Sequence, residues 1–502
     1  MRWVALALSV ACSEDAREQP VDALTDGSTT VPDVVVTIDG DAAVAEVSDR
    51  YLSFAIDTAQ VVGGVFWNPD PTSDEEEVPV PPYDFDDPVL RELTALLAPA
   101  VLRIGGTAAD LVVYDLDGSY GDLPDGATHR LTADQWSGVH RFATDLDLDL
   151  LFTLNAGPSA RDADGLWDPA NARTLVEHAA AMGSPVTVWE LGNEVNAYLL
   201  MHGQAVAATD YGGDVATLRD LLDDVQPAGL TAGPSSAYWP VAGEFVPFAG
   251  AAIPAAGDAL DVVTWHYYPQ QSTRCPVATR PASAEGMLDP SWRAEVDTWA
   301  AETEAHRDAG NPNAQVWLGE TGNAQCGGAP GVSDAFVGGF WWLDQLGRLA
   351  LRGQQVVIRQ TLSGSDYGLL SDDGRFAPRP DFWTSALHKQ LVGTRVLAAS
   401  TEEDDLVTYA HCGRDGGVVV MVLNPTDDDL DVGFEAEQAE AWVLTADDLS
   451  SQQMALNGAA LPTTAVVPDL SGLESADGVV TFPARSYGFV RHSVGNEPAA
   501  CR

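Results

Sequence analysis

Val186-Thr-Val-Trp-Glu-Leu-Gly-Asn-Glu194 is a β-rich run that halts at a glycine and leaves an asparagine and a glutamate just beyond its end. A second run of the same form, Val316-Trp-Leu-Gly-Glu-Thr321, lies further along. Reading outward from these two, strands are predicted at Leu52–Asp57, Val101–Gly105, Leu150–Asn155, Val186–Leu191, Leu230–Pro234, Val262–Tyr267, Val316–Glu320 and Val356–Thr361. Between them the apolar period lengthens to that of helices, as at Val89–Leu97, Gln135–Asp145, Ala172–Met182, Val215–Val225, Trp292–His306 and Ser333–Leu351. Eight strands, apolar on both faces and alternating with helices, predict an α/β fold, a (β/α)8 TIM barrel. An open doubly wound sheet is the competing arrangement, but no glycine-rich phosphate loop follows the first strand.

After residue 390 short strands separated by Asp, Gly and Asn turns predict a second, smaller all-β sandwich domain, with Val396–Ala399, Leu406–Cys412, Gly417–Leu423, Glu440–Leu444 and Ser486–Arg491 as its strands. Val34–Ile38 is expected to join it from the other end of the chain. The expected divisions are 1–30, an export signal and tether; 31–50, the joining strand; 51–388, the barrel; and 389–502, the sandwich. The acid- and proline-rich stretch 69–82 follows the first barrel strand, where loops form the rim of a barrel's working face.

The charge is lopsided, with 75 acidic against 25 basic residues and a net of −50. That excludes nucleic acid and anionic membranes as main partners and opposes sulfated polyanions as substrates. It also suits a saline setting. Thermal midpoints are expected to rise steeply with salt, and a salt-indifferent melt would contradict this. Residues 1–12 carry one basic residue, a short apolar run and Cys12 after a small residue, the form of an export signal. Cys12 is then a candidate lipidation site, although Ser9 stands where lipoprotein signals usually place leucine. The protein is expected to be exported to the periplasm, the cell surface or the medium, touching a membrane only through that anchor. Cys275, Cys326, Cys412 and Cys501 remain, an even number that permits two disulfides without assigning them. Neither a metal nor a cofactor is expected, because no Cys-x-x-Cys or paired-histidine spacing occurs.

Barrel enzymes carry their chemistry at the C-terminal ends of strands, and here the fourth and seventh strands end in Glu194 and Glu320. Facing carboxylates across a barrel mouth suit glycosidic bond cleavage. One protonates the departing oxygen and the other attacks the anomeric carbon, with retention if the carboxyls stand roughly 5–5.5 Å apart. Asn193 is placed to contact the sugar's 2-hydroxyl. Glu194, as acid, needs a raised pKa, expected from the Glu320 charge and from burial among Trp189, Trp265 and Tyr267. The plainer alternative is that each glutamate caps a helix.

Leu102-Arg-Ile-Gly-Gly-Thr107, Trp189–Glu194, Val263-Thr-Trp-His-Tyr267 and Val316–Thr321 together resemble glycoside hydrolase family 79, which contains heparanase and β-glucuronidases. The resemblance continues in order through Gly327-Gly-Ala-Pro330, Ser333-Asp334, Trp342-Leu-Asp344, Asp381-Phe-Trp383, Leu391-Val-Gly-Thr394 and Ala499-Ala-Cys501. It implies Glu194 as proton donor, Glu320 as nucleophile, and sugar contacts from Asp57, Thr107, Asn193, His266 and Tyr367. It implies a sandwich disulfide between Cys412 and Cys501, which leaves Cys275 and Cys326 as a second candidate pair. The family's Tyr-Gly-Gly, which binds a uronic carboxylate mainly through backbone N–H groups, corresponds here to Gln325-Cys326-Gly327, and Arg274 is a further candidate for that carboxylate. Two stretches expected to flank the cleft, Phe142–Asp149 and Pro234–Pro240, are acidic and aromatic where heparanase is basic. Tyr238 and Trp239 in the second suggest stacking on a sugar. The expected activity is a retaining exo-β-glucuronidase working by double displacement on a non-sulfated carbohydrate. The alternatives are an endo-acting heparanase-like enzyme, a neutral-sugar glycosidase such as an arabinofuranosidase, and an inactive carbohydrate-binding protein.

Overall fold

In a computed structural model, residues 31–70, 73, 75–183, 186–403, 405–434, 436, 438–475, 477–492 and 498–502 are described. The export signal and Cys12 lie outside them. Eight parallel strands close into a barrel: Leu52–Asp57, Ala100–Gly105, Leu148–Leu154, Val186–Leu191, Leu230–Trp239, Val262–Tyr267, Gln315–Thr321 and Val356–Arg359. The eighth returns to the first through Val357 opposite Leu52, and the fourth meets the fifth through Val188 opposite Leu230. The fifth strand runs past Pro234, where the sequence pattern suggested an end. A register shift there absorbs the missing N–H and lets pairing continue to Trp239.

Ala55, Val101, Leu151, Val188, Ala232, Val262, Trp317, Val356 and Ile358 form an apolar plug inside the barrel. Successive side chains alternate across a strand, so the residues two places on point inward as well. From Val101 that is Arg103, from Val188 Glu190, and from Val262 by two such steps His266. The polar floor of the barrel mouth is thus set by parity above an apolar base. The residues between, including Trp189, Trp265 and Tyr267, face outward to the helices. Trp189 bonds Gln226, Trp265 bonds Gln354, and Tyr267 bonds Glu295. They do not surround Glu194, which corrects the expectation above.

The periodic helices occur at Pro88–Ala95, Ala133–Asp145, Ala170–Ala181, Ala208–Val225, Pro290–Gly310 and Gly338–Leu351. Two more, Ala249–Ala256 and Pro380–Leu391, left no amphipathic signal. The first is nearly all small or apolar and holds Pro254, and the second is buried on almost every side. In the acid-rich loop, Val65–Trp67 pairs with Glu77–Pro79 as a hairpin. The acidic stretch Phe142–Asp149 does not flank the mouth. It runs from helix Ala133–Asp145 into the start of the third strand, at the opposite face, where Asp147 and Asp149 pair with Arg50 at 2.9 and 2.7 Å.

Beyond residue 391 the described residues form β-strands and loops, with one helical turn at Ala499–Cys501. Val34–Asp39 joins these strands, antiparallel to Val392–Ser400 and parallel to Leu430–Phe434, and a Cys412–Cys501 disulfide fastens the C-terminus to strand Val407–Gly413. This layer sits on helix Gly338–Leu351. Tyr409 donates to Asp344 at 2.6 Å, and its ring lies where a Cβ on Gly347 would stand, 2.1 Å away. Gly347→Ala should therefore push Tyr409 off Asp344 and lower stability by roughly 1–3 kcal/mol, read from urea unfolding; an unchanged midpoint would contradict the close approach. No helix among the described residues is long and apolar enough to cross a membrane.

Candidate active site

Glu194 follows its strand through Gly192 and lies at φ +52°, a region that disfavours side-chain-bearing residues. Such backbone persists where surrounding bonds hold it. Here the Asn193 N–H donates to Asp110 at 3.0 Å, and Asn196 exchanges two 3.0 Å bonds with Ala237 of the fifth strand. Glu320 reaches the mouth by another device. Simple alternation from Trp317 would turn it outward, but the pairing of the sixth and seventh strands shifts at Gly319, setting His266 opposite Glu320. That bulge turns the carboxylate inward.

One carboxylate oxygen from each of Glu194 and Glu320, with a ring nitrogen of His266, lie within 4.8 Å of one another. His266 Nδ1 stands 3.2 Å from Glu194 Oε1. That contact fixes one oxygen of Glu194 and leaves the other for a ligand. Burial pushes the Glu194 carboxyl up to about 7, against the lowering effect of Arg103. Burial, not the Glu320 charge, is what raises it. Burial likewise brings His266 down to about 4, so it is neutral in the working range.

Arg103, fully buried, binds three partners at once. Its Nε meets Glu190 at 2.9 Å, Nη1 meets Glu320 at 2.8 Å and Nη2 meets Asn193 Oδ1 at 2.8 Å. Guanidinium only donates, so Asn193 must turn its oxygen to Arg103 and its NH2 group to the cleft. Tyr268 OH donates to Glu320 Oε1 at 2.7 Å, so both oxygens of that carboxylate are held. Glu190 is inaccessible. Burial alone would raise its pKa, but Arg103 holds it below the usual carboxylate range. Arg103, Glu190 and Tyr268 had no role in the sequence reading, though strand parity marks the first two as inward.

Asp57 caps the short helix Thr58–Val62 through Oδ1, bonded to the Ala59 N–H at 2.9 Å, and its Oδ2 faces Gly106. Burial raises it to about 7, with Glu320 adding to the effect. Tyr367 is buried against Phe66 and Tyr268, and burial followed by the charges of Glu320 and Asp57 keeps it a phenol. Asp57, Asn193, Glu194, His266, Glu320 and Tyr367 thus converge. Thr107 is exposed at the start of the turn Thr107–Leu111.

Arg274 is not free for a ligand carboxylate. It pairs with Asp366 at 2.6 Å and donates to the Gly328 carbonyl at 2.8 Å. The Gln325 side chain packs against Gln271, and Cys326 is disulfide-bonded to Cys275. Tyr238 belongs to the core, against Trp265 and Trp299, whereas Trp239 stacks on the exposed Phe245 at 5.0 Å. Among the described residues Glu194, His266 and Glu320 form the one group spaced to hold a metal ion, but Arg103 already supplies the positive charge beside Glu320.

This arrangement suits double displacement at an anomeric carbon: two close carboxyls, one held by a guanidinium and a phenol and one raised toward neutrality by burial. The profile of glycosyl hydrolase family 79, N-terminal domain, matches residues 33–347. Heparanase from Gallus gallus is 34% identical over 378 residues, covering 70% of this chain and 69% of that protein. Baicalin-beta-D-glucuronidase from Scutellaria baicalensis is 28% identical over 439 residues, covering 78% of this chain and 80% of that one. In fold the chain is similar to a 4-O-alpha-L-rhamnosyl-beta-D-glucuronidase from Fusarium oxysporum 12S, with a TM-score of 0.64 at 16% identity over 91% of this chain and 100% of that one. It is also similar to an alpha-L-arabinofuranosidase from Thermotoga maritima, with a TM-score of 0.65 at 14% identity over 92% and 100%. With the family's N-terminal-domain profile spanning residues 33–347, the chain belongs to glycosyl hydrolase family 79 and is a retaining glycoside hydrolase.

Proposed function

We propose that the protein is an exo-β-glucuronidase in which Glu194 is the proton donor and Glu320 the nucleophile. The observation that carries the sugar assignment is the turn at Cys326–Gly328. The carbonyls of Gln325, Gly327 and Gly328 are engaged within the protein, whereas the N–H groups of Cys326, Gly327 and Gly328 have no partner among the described residues. Three such amides beside Tyr367 suit a carboxylate on the sugar. The glucuronidase among its relatives fits this reading, and the net charge of −50 opposes a sulfated polymer. Two disulfides suit an oxidising compartment and hence an exported enzyme.

In the first step Glu194 protonates the glycosidic oxygen while Glu320 attacks the anomeric carbon. In the second, ionised Glu194 takes a proton from water, which displaces the ester. Asn193 NH2, aimed by Arg103, meets the 2-hydroxyl. An aryl β-glucuronide should be hydrolysed, with the β-anomer of glucuronate appearing first by NMR, while the matching β-glucoside and α-L-arabinofuranoside turn over poorly. Preference for either neutral sugar would overturn the assignment.

The pH dependence follows from Glu194. The protonated form acts first and is populated below its value of about 7. kcat/KM should hold up to that pH and then fall about tenfold for each further unit. In Glu194→Gln, assayed on the same glucuronide as wild type, that alkaline limb should vanish from the residual activity. A limb that survives would assign it to another group.

A further inference from the structure

We propose that the Cys275–Cys326 disulfide is a specificity-determining strut that holds the Cys326–Gly328 turn in the shape that receives the substrate's carboxylate. The inference rests on the uronate reading above. Three successive residues in this turn, Cys326, Gly327 and Gly328, have φ of +61°, +83° and +85°. Glycine adopts such angles freely, and cysteine does not. Gly327 has a second reason to be glycine, because a Cβ there would stand 2.6 Å from that of Trp67. Cys326 has no such freedom and is tied instead, by its sulfur, to Cys275, 51 residues earlier in the loop after the sixth strand.

The tether is continued by backbone bonds on both sides. Gln325 N–H donates to Gln270 at 2.9 Å and Ser272 N–H to Gln325 at 3.1 Å, so the two loops are laced together just before the disulfide. Beyond it, Arg274 donates to the Gly328 carbonyl at 2.8 Å and pairs with Asp366, whose own N–H donates to the Gly327 carbonyl at 2.9 Å. Every carbonyl so held faces the protein, and the three amides are what the turn has left to offer. The turn is also coupled to the nucleophile's surroundings. Tyr367 N–H donates to Gly327 at 3.2 Å, and its ring lies 6.4 Å from that of Tyr268, which holds Glu320. Arg274, unavailable as a free cation, thus serves as a positioning residue for the same turn.

The test compares full-length Cys275→Ser/Cys326→Ser with Cys412→Ser/Cys501→Ser, which removes the distant sandwich disulfide. KM and kcat are measured on an aryl β-glucuronide and on the matching β-glucoside. In the first variant KM for the glucuronide should rise roughly tenfold or more, as when a hydrogen bond to a charged group is lost. The ratio of kcat/KM on the glucuronide to kcat/KM on the glucoside should fall by a similar factor. The sandwich variant should lose thermal stability and keep the glucuronide preference. Cys275→Ser/Cys326→Gly, which restores glycine at the positive φ, should recover part of the lost KM. If the serine variant does not fold, reduction of folded wild type with a phosphine should give the same rise, reversed on reoxidation. A wild type without preference for the glucuronide overturns the uronate reading. A preference that survives loss or reduction of the disulfide overturns the strut alone.

Discussion

Glu320→Ala should lower kcat about 10⁴-fold or more on every glycoside, because losing a nucleophile removes the covalent route altogether. Azide should then restore part of the turnover and yield an α-glycosyl azide. The small anion enters the space vacated by the carboxylate, attacks from that face once, and inverts the β-linked centre. Glu194→Ala should behave differently in two respects. Its loss of kcat/KM should be slight for aryl glycosides with good leaving groups and grow toward about 10²–10⁴-fold for alkyl ones, since only the latter need a proton in the first step, while kcat should fall with every leaving group because water then lacks its base in the second. Azide should here give the β-glycosyl azide, since Glu320 still makes the first inversion and azide the second. Leaving-group dependence and product configuration, measured on both variants, assign the two roles independently of the absolute rates. Identical azide products from the two variants would overturn the assignment.

The barrel and both carboxylates were legible because strand ends are marked locally, by Gly192-Asn193 before Glu194 and Gly319 before Glu320. What surrounds them was legible only in part. Parity along a strand marks Arg103 and Glu190 as inward and Trp189 as outward, so the aromatic residues pack against the helices and not around Glu194. The inward turn of Glu320 depends on a register shift against the sixth strand, and no property of the seventh strand alone reveals it. Phe142–Asp149 departs from its expected place beside the cleft for a different reason. Composition says that the stretch is acidic, but only the order of helix and strand says that it precedes a strand and so lies on the face away from the mouth. The engagement of Arg274 by Asp366 joins residues 92 positions apart and left no mark in sequence.

Arg103 carries the second large expectation. It is one cation between two carboxylates, with Arg103 and Glu190 both fully buried. Removing one partner of a buried pair leaves the other charged and unsolvated, so Arg103→Ala should lose about 3–5 kcal/mol of stability near neutral pH. The loss has a pH signature. In wild type Glu190 is held below the usual carboxylate range, so its stabilising contribution is present above the unfolded value of 4.5 and disappears as pH falls through the folded one. In the variant burial loses its main opponent and should raise Glu190 instead, so its penalty grows as pH rises above 4.5. The stability gap between wild type and variant should therefore be wide at pH 7 and narrow at pH 4. Arg103→Met combined with Glu190→Gln removes both buried charges and should recover much of the stability. It should not recover activity, because Glu320 still lacks its Nη1 donor and Asn193 is free to turn. A loss of kcat on the order of 10²–10³, as for one preorganised electrostatic donor, should persist in the pair. Arg103→Lys should fare no better in rate, since one ammonium cannot reach three acceptors in the geometry of the guanidinium fork. Recovery of kcat together with stability in the double variant would show that Arg103 serves only to neutralise Glu190.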